Sequence, residues 1–131
     1  MTNIRSLDKN MPILIVDDVS TMRRVIKNCL KSLGFENITE AEDGPPALEM
    51  LRTHEFKMVV SDCSMPQMSG TEMLEQIRKD PRTKNIPFIM ITSESQKECV
   101  LKAVEKGLSA FIVKPFTANV LQSKMEAVFS K

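Results

Sequence analysis

A chain of 131 residues predicts one domain, 1–131, around a single hydrophobic core, with residues 1–10 as a polar N-terminal extension. Its 18 Lys and Arg residues nearly balance 17 Asp and Glu residues, and the net charge of +1 argues against nucleic acid or an anionic membrane as a partner. No apolar run approaches the length of a membrane span and the first ten residues hold no signal-peptide core, so we expect a cytoplasmic protein.

Five short segments predict the strands of a parallel sheet. Residues 12–16, 58–60, 87–91 and 110–113 are continuous apolar runs, which is typical of strands covered on both faces. Residues 37–41 place an isoleucine between polar neighbours, which is typical of a strand at a sheet edge.

Each strand is followed by a segment that predicts a helix. In the first of these segments, Ser20 or Asp18 is expected to cap the start of the helix, and Gly34 is expected to end it. Its apolar spacing predicts a buried face of Met22, Val25, Ile26, Cys29, Leu30 and Leu33. Further helices are expected at about 46–55, around 73–77 and at about 96–106, the last of these ended by Gly107. A C-terminal helix is expected with Val120, Leu121, Met125 and Val128 inward.

Five strands that alternate with five helices predict an α/β fold, a doubly wound parallel sheet with helices on both faces. Because the second strand resembles an edge strand, we expect the flavodoxin-like strand order 2-1-3-4-5. The first and third strands are then neighbours in the sheet.

Polar side chains stand where four of the predicted strands end. Asp17 and Asp18 follow the first strand, Asp62 the third, Thr92 the fourth and Lys114 the fifth. Ligands of open α/β sheets bind outside the carboxyl ends of the strands. We therefore expect these five side chains to share one site at that edge of the sheet.

The three acids of this predicted site repel one another. A single pair of carboxylates about 4 Å apart costs roughly 4 kcal/mol at an effective dielectric constant of about 20. Oxygen ligands and excess negative charge suit Mg²⁺, whereas the D-x-D-x-D-G run of a calcium loop is absent. The alternative is that the acids only cap helices and that Lys114 neutralises them.

Phosphoryl transfer onto an aspartate is the chemistry that suits this group of residues. Asp62 would be the nucleophile, and it needs no general base because a carboxylate is already deprotonated. Lys114 and the Thr92 hydroxyl would bind the phosphoryl oxygens that the metal leaves free.

The three cysteines, Cys29, Cys63 and Cys99, are far apart in the sequence and form no C-x-x-C pair. This spacing predicts reduced, mostly packed thiols, with no disulfide and no structural metal. The only histidine, His54, has no apparent metal partner and is expected at the surface.

The strand-end motifs V-D-D, S-D-C-S-M-P-Q-M-S-G, I-T-S-E and V-K-P-F occur in this order along the chain. Together they resemble the receiver domain of bacterial two-component response regulators, and the resemblance covers essentially the whole chain. Segments outside the site, DDVSTMRRVIKNCLKSLGF, EAEDG and VKPFTANVL, resemble the single-domain chemotaxis regulators of the CheY type.

The resemblance implies roles for individual residues. Asp62 would accept a phosphoryl group from a phosphohistidine on a histidine kinase of the CheA type. Asp17 and Asp18 would bind Mg²⁺ together with Asp62, and the backbone carbonyl of Ser64 would supply a further ligand. A phosphatase is a possible further partner.

The resemblance also implies a switch. Thr92 would move toward the phosphoryl group and Phe111 would turn inward, which remodels the surface made by the fourth helix, fifth strand and fifth helix. Similar regulators carry Tyr where this chain has Phe111, and simple core packing is the alternative interpretation of that residue. Ser64 and Glu94 occupy the two positions that tune how quickly the phosphoryl group is lost.

Three functions remain open from the sequence. The first is a monomeric signalling protein, with no attached output domain, whose activated surface binds the flagellar motor switch and controls rotation in chemotaxis. The second is a stand-alone receiver that serves as a phosphoryl shuttle or sink for the kinase, without a motor target. The third, an aspartyl-phosphate phosphatase, would want a second acid two residues after the nucleophile, where Ser64 stands.

Overall fold

The computed structural model describes residues 3–130 as an α/β fold with one five-stranded sheet. Its strands are β1 Ile13–Val16, β2 Ile38–Ala41, β3 Met58–Asp62, β4 Phe88–Thr92 and β5 Ala110–Val113. Its helices are α1 Ser20–Ser32, α2 Gly44–Thr53, α3 Gly70–Lys79, α4 Lys97–Glu105 and α5 Ala118–Phe129, with short 3-10 turns at Ile4–Ser6 and Glu94–Gln96. Among these helices none is long and apolar enough to cross a membrane.

The sheet is parallel throughout and has the strand order β2-β1-β3-β4-β5, which confirms the predicted fold class. In register, Val16 of β1 lies beside Ser61 of β3, and Asp62 lies beside Ile91 of β4. The carboxyl ends of β1, β3 and β4 therefore lie side by side, and the polar residues that follow them meet at one edge.

Alternate residues of the strands enter two separate apolar layers. Leu14, Val16 and Val59 pack with buried residues of α2, α3 and α4 on one face of the sheet. Ile13 and Ile15 pack with α1 and α5 on the other face. Burial on both faces is the reason why the central strands are apolar at every position.

Two predicted helix ends are confirmed, and one predicted helix start is wrong. Gly34 and Gly107 follow α1 and α4 with φ angles of +100° and +96°, a backbone conformation that a side chain disfavours. Neither Ser20 nor Asp18 caps α1, since its N-cap is Val19. The Val19 N–H instead donates to Asp17 Oδ1 at 2.9 Å, so the first acid of the site also begins the helix.

Two apolar residues that the spacing placed inward lie at the surface. Val25 of α1 and Val120 of α5 are 44% and 39% exposed. Periodicity finds the apolar stripe of a helix but overestimates its width, because only the tertiary contact decides where the stripe ends. Ile26 and Leu30 of α1 are fully buried, as predicted.

The described part of the N-terminal extension, residues 3–10, packs against the domain. The Ile4 N–H donates to Glu126 Oε2 in α5 at 2.8 Å, and the Ile4 side chain is buried. Lys9 Nζ lies 4.7 Å from the centre of the Phe35 ring. The first two residues of the extension lie outside the described residues.

The expectation of no disulfide was wrong for one pair of cysteines. The structure joins Cys63, directly after β3, to Cys99 in α4, with a Cα–Cα distance of 6.4 Å. These residues are 36 positions apart in the sequence, so only the packing of α4 beside the loop after β3 reveals their proximity. Cys29 is a free thiol, as expected.

Candidate functional site

Three acids meet at the carboxyl ends of β1 and β3. Asp17, Asp18 and Asp62 each offer a carboxylate oxygen, and these oxygens all lie within 4.8 Å of one another. Asp17 and Asp62 are buried, whereas Asp18 is exposed and faces solvent. The structure thus brings together the acids that the sequence placed at two strand ends.

The buried position of Asp17 affects the protonation of its carboxyl group. Its burial raises the pKa of the carboxyl to about 6, a shift that the nearby Asp62 and Asp18 reinforce and that the Val19 N–H and Lys114 oppose. Asp17 Oδ2 is buried and has no hydrogen-bond partner among residues 3–130. A buried acceptor without a partner is costly and points to a ligand.

The donor set of the site fits a small hard cation. The three acids offer oxygens at close range, and Asp17 Oδ2 is buried without a hydrogen-bond partner among residues 3–130. Mg²⁺ binds through one or two carboxylates, waters and phosphate oxygens, which this half-open site can accommodate. Ser64, whose backbone carbonyl is the predicted further ligand, is exposed in the loop that follows Asp62.

Lys114 and Thr92 also lie at this edge of the sheet, where Lys114 contacts Asp62 and Thr92 contacts Gln96. Lys114 Nζ lies 3.3 Å from Asp62 Oδ1, and the Lys114 N–H donates to the Thr92 carbonyl at 2.7 Å. The buried Thr92 hydroxyl instead lies 3.0 Å from Gln96 Oε1. Thr92 is the last residue of β4, and its partner Gln96 was not expected at the site, although the spacing from Ser93 to Gln96 is that of a capping box.

Phe111 lies at the surface of β5, so the core-packing interpretation of this residue is wrong. The side chain is 40% exposed, and Lys124 Nζ lies 5.7 Å from the centre of its ring. Beside it is an apolar cavity of about 310 Å³, which Thr92, Glu94 and Leu101 also line. Phe111 therefore has space next to it, on the side of Thr92.

The surface around Phe111 is apolar across two helices and a strand. Its large exposed apolar residues are Leu101 and Val104 of α4, Phe111 and Val113 of β5, and Val120 of α5. We call this set the α4–β5–α5 surface. Leu101, Phe111 and Val113 line one cavity, and Val104 and Phe111 line a second. Patches of exposed apolar residues mark sites of protein–protein contact.

The loop between β3 and α3 is held by an acid from another part of the chain, Asp43, which the sequence did not mark as part of the site. Asp43, at the start of α2, accepts backbone hydrogen bonds from Gln67 and Met68 in this loop. At the end of the loop, Gly70 lies against the backbone of β3, since a Cβ there would stand 2.3 Å from the Asp62 carbonyl oxygen. The Asp43–Gly44 pair is visible in the sequence, but the sequence does not indicate that Asp43 binds the backbone of this loop.

Comparison with known proteins identifies the family. The model of the response regulator receiver domain matches residues 13–126. The chain is 49% identical over 125 residues to chemotaxis protein CheY-3 of Vibrio cholerae serotype O1, covering 95% of this chain and 96% of that protein. It is 47% identical over 121 residues to chemotaxis protein CheY of Pseudomonas aeruginosa, covering 92% and 98%.

A solved structure agrees with these relatives. The chemotaxis response regulator CheY4 of Vibrio cholerae superposes with a TM-score of 0.82 at 29% identity, covering 91% of this chain and 98% of that chain. The similarity therefore extends over nearly the full length of both molecules, and the family match over residues 13–126 spans every strand end at the site.

Proposed function

The chain belongs to the response regulator receiver domain family, and on this basis we propose that Asp62 accepts a phosphoryl group from a phosphohistidine of a CheA-type kinase. The activated α4–β5–α5 surface would then bind the flagellar motor switch protein and control rotation. One observation carries the proposal: the oxygens of Asp17, Asp18 and Asp62 lie within 4.8 Å, and Lys114 Nζ lies 3.3 Å from Asp62 Oδ1.

Phosphoryl transfer would begin at an oxygen of the Asp62 carboxylate. This oxygen attacks phosphorus, the phosphorus–nitrogen bond of the phosphohistidine breaks, and the imidazole leaves with the electron pair. Lys114 would donate hydrogen bonds to the transferred oxygens, since its ammonium already lies against Asp62. Bound Mg²⁺ would supply the positive charge that the acids lack, held by Asp17, Asp18, Asp62 and the Ser64 carbonyl.

The switch would start at the hydroxyl of Thr92. To donate to a phosphoryl oxygen on Asp62, this hydroxyl must give up Gln96 Oε1, which lies 3.0 Å away. The Phe111 ring, which lines the same cavity of about 310 Å³ as Thr92, would then turn into this space as Thr92 moves. Glu94 lines the same cavity and Ser64 is exposed beside Asp62, which supports their role in tuning the lifetime of the phosphoryl group.

We also propose that the chain acts as one receiver domain, a cytoplasmic monomer that signals and does not turn over an external substrate. The support for one domain is that the described residues share a single sheet whose two apolar layers involve all five helices. A phosphatase that removes the phosphoryl group is a further proposed partner.

The motor assignment can be tested by calorimetric titration. A peptide from the motor switch protein of the same organism is titrated into the chain with Mg²⁺ alone, then with Mg²⁺ and a beryllium fluoride mimic of the phosphoryl group. We expect roughly tenfold tighter binding with the mimic, a typical coupling between two sites. Absence of binding in both states, with Asp62 demonstrably phosphorylated, would overturn the motor output.

One observation favours the second candidate, a phosphoryl shuttle or sink. Phe111 has no hydroxyl with which to bond a partner or a backbone acceptor, although it is exposed on the α4–β5–α5 surface. A sink would accept the phosphoryl group from the kinase as fast as a motor regulator would. Its affinity for the motor peptide would not rise on phosphorylation.

Lys114→Ala is expected to separate phosphorylation from its output. The variant keeps the three acids and should still bind Mg²⁺, but it loses the ammonium group that lies against Asp62 and would bind the phosphoryl oxygens. The mimic should therefore no longer tighten binding of the motor peptide in the same titration. Lys57→Ala is the control, because Lys57 pairs with the exposed Glu55. An activated-state affinity equal to that of the wild type would contradict the role of Lys114.

A further inference from the structure

A buried carboxylate outside the cluster of acids holds the loop that borders the site. We propose that Asp43 is a positioning residue: its carboxylate fixes the loop 63–69 and thereby places the Ser64 carbonyl for the metal. The inference rests on the proposed function, because it assigns Asp43 to the support of the same Mg²⁺ site.

Asp43 accepts three backbone hydrogen bonds on its two carboxylate oxygens. Oδ1 accepts from the Gly44 N–H at 2.7 Å and from the Met68 N–H at 3.2 Å, and Oδ2 accepts from the Gln67 N–H at 3.0 Å. The residue is only 5% exposed. Hydrogen bonds to a charged acceptor are about twice as strong as neutral ones, so this carboxylate is a firm anchor.

Only one of the three hydrogen bonds belongs to helix α2. Asp43 is the N-cap of α2, and the bond to Gly44 serves that helix. A serine or threonine hydroxyl would serve an N-cap equally well. The other two bonds cross to a loop 24 and 25 residues away in the sequence, which a cap does not require.

The hydrogen bonds to Asp43 leave little free backbone in the loop. At its two ends, the Gly70 N–H donates to the Cys63 carbonyl at 2.8 Å. The Gln67 N–H donates to Asp43. Residues 64–66 therefore form a short segment between two positions held by hydrogen bonds, Cys63 and Gln67. The predicted metal ligand, the Ser64 carbonyl, lies within this short segment next to Cys63.

The residue after Asp43 allows the loop to approach closely. A Cβ on Gly44 would stand 2.7 Å from Met68 Sδ and 2.8 Å from Met68 Cβ, so any larger residue would displace the Met68 side chain. Asp43 thus binds the Met68 backbone while Gly44 leaves room for its side chain. The loop therefore packs directly against these two residues, which lie in the turn between β2 and α2.

The experiment compares three variants of the full chain. Asp43→Ser retains a cap for α2 but cannot hold the loop, Asp43→Ala loses both functions, and Thr117→Ala removes an N-cap from α5, where Thr117 accepts from the Val120 N–H. Mg²⁺ affinity is measured by calorimetry, and amide hydrogen exchange of residues 64–69 is measured without Mg²⁺. Loss of groups that support metal ligands typically weakens metal affinity tenfold to a hundredfold.

We expect both Asp43 variants to bind Mg²⁺ roughly tenfold more weakly and to lose amide protection at Gln67 and Met68, whereas Thr117→Ala changes neither quantity. Wild-type Mg²⁺ affinity in Asp43→Ser would overturn the inference and reduce Asp43 to a helix cap. Failure of the proposed function gives a different result: the wild-type chain binds no Mg²⁺. In that case unchanged loop protection in Asp43→Ser would also refute the positioning role.

Discussion

Asp62→Asn is expected to abolish phosphorylation of the chain at this site. The amide is no nucleophile toward phosphorus, and Asp62 is the acid whose oxygen lies 3.3 Å from Lys114 Nζ, at the centre of the strand edge. The side chain is isosteric and can keep a contact with Lys114, so the fold should persist. The measurement is intact mass after incubation with the phosphorylated kinase domain or with a small acyl phosphate.

A matched substitution controls for the change from acid to amide. Asp80 follows α3 and pairs with Arg82 at 3.2 Å, so Asp80→Asn removes an acid that has no place in the site. It should gain one phosphoryl group at the wild-type rate. A mass gain in Asp62→Asn equal to that of the wild type would show that another residue is the nucleophile.

Asp17→Asn is expected to stabilise the chain at neutral pH in the absence of Mg²⁺. Burial raises the pKa of Asp17 from 3.8 to about 6, so between these values the folded state holds a proton that the unfolded state has lost. The free energy of unfolding therefore falls as the pH rises through this window. At pH 7 the buried charge costs up to about 3 kcal/mol, which the neutral amide removes.

Chemical denaturation with a chelator present, at pH 4 and at pH 7, measures this effect. Asp17→Asn should exceed the wild type in stability at pH 7 and differ little from it at pH 4, because the wild-type carboxyl is then already protonated. The amide can still accept from the Val19 N–H, so the start of α1 is preserved. If Asp17→Asn differed from the wild type in stability by the same amount at pH 4 and at pH 7, the raised pKa of Asp17 would be contradicted.

The same substitution should weaken Mg²⁺ binding, since it neutralises the acid whose Oδ2 has no other partner in the described structure. Asp18→Asn is the comparison: Asp18 is exposed, so its replacement should weaken Mg²⁺ binding with a smaller gain in stability. Gain of stability with loss of metal affinity at one residue is typical of a functional site that stores electrostatic strain.

The fold and the strand-end residues were predictable from the sequence for definite reasons. Strands buried on both faces must be apolar at every position, and right-handed parallel connections leave few possible strand orders. Polar residues at the carboxyl ends of such strands, Asp17, Asp62 and Lys114 among them, can then lie only at one edge of the sheet. Each of these inferences uses neighbours in sequence and the general geometry of parallel sheets.

The contacts between distant segments were decided only by the tertiary structure. The hydrogen bonds from Asp43 to the loop after β3, the pairing of Cys63 with Cys99, and the exposure of Phe111 all depend on how helices and loops pack around the sheet. The type of a residue and the pattern of its sequence neighbours do not indicate which distant backbone group will lie within about 3 Å of it. The sequence by itself therefore determined which residues could do chemistry, and the packing determined which groups hold them in place.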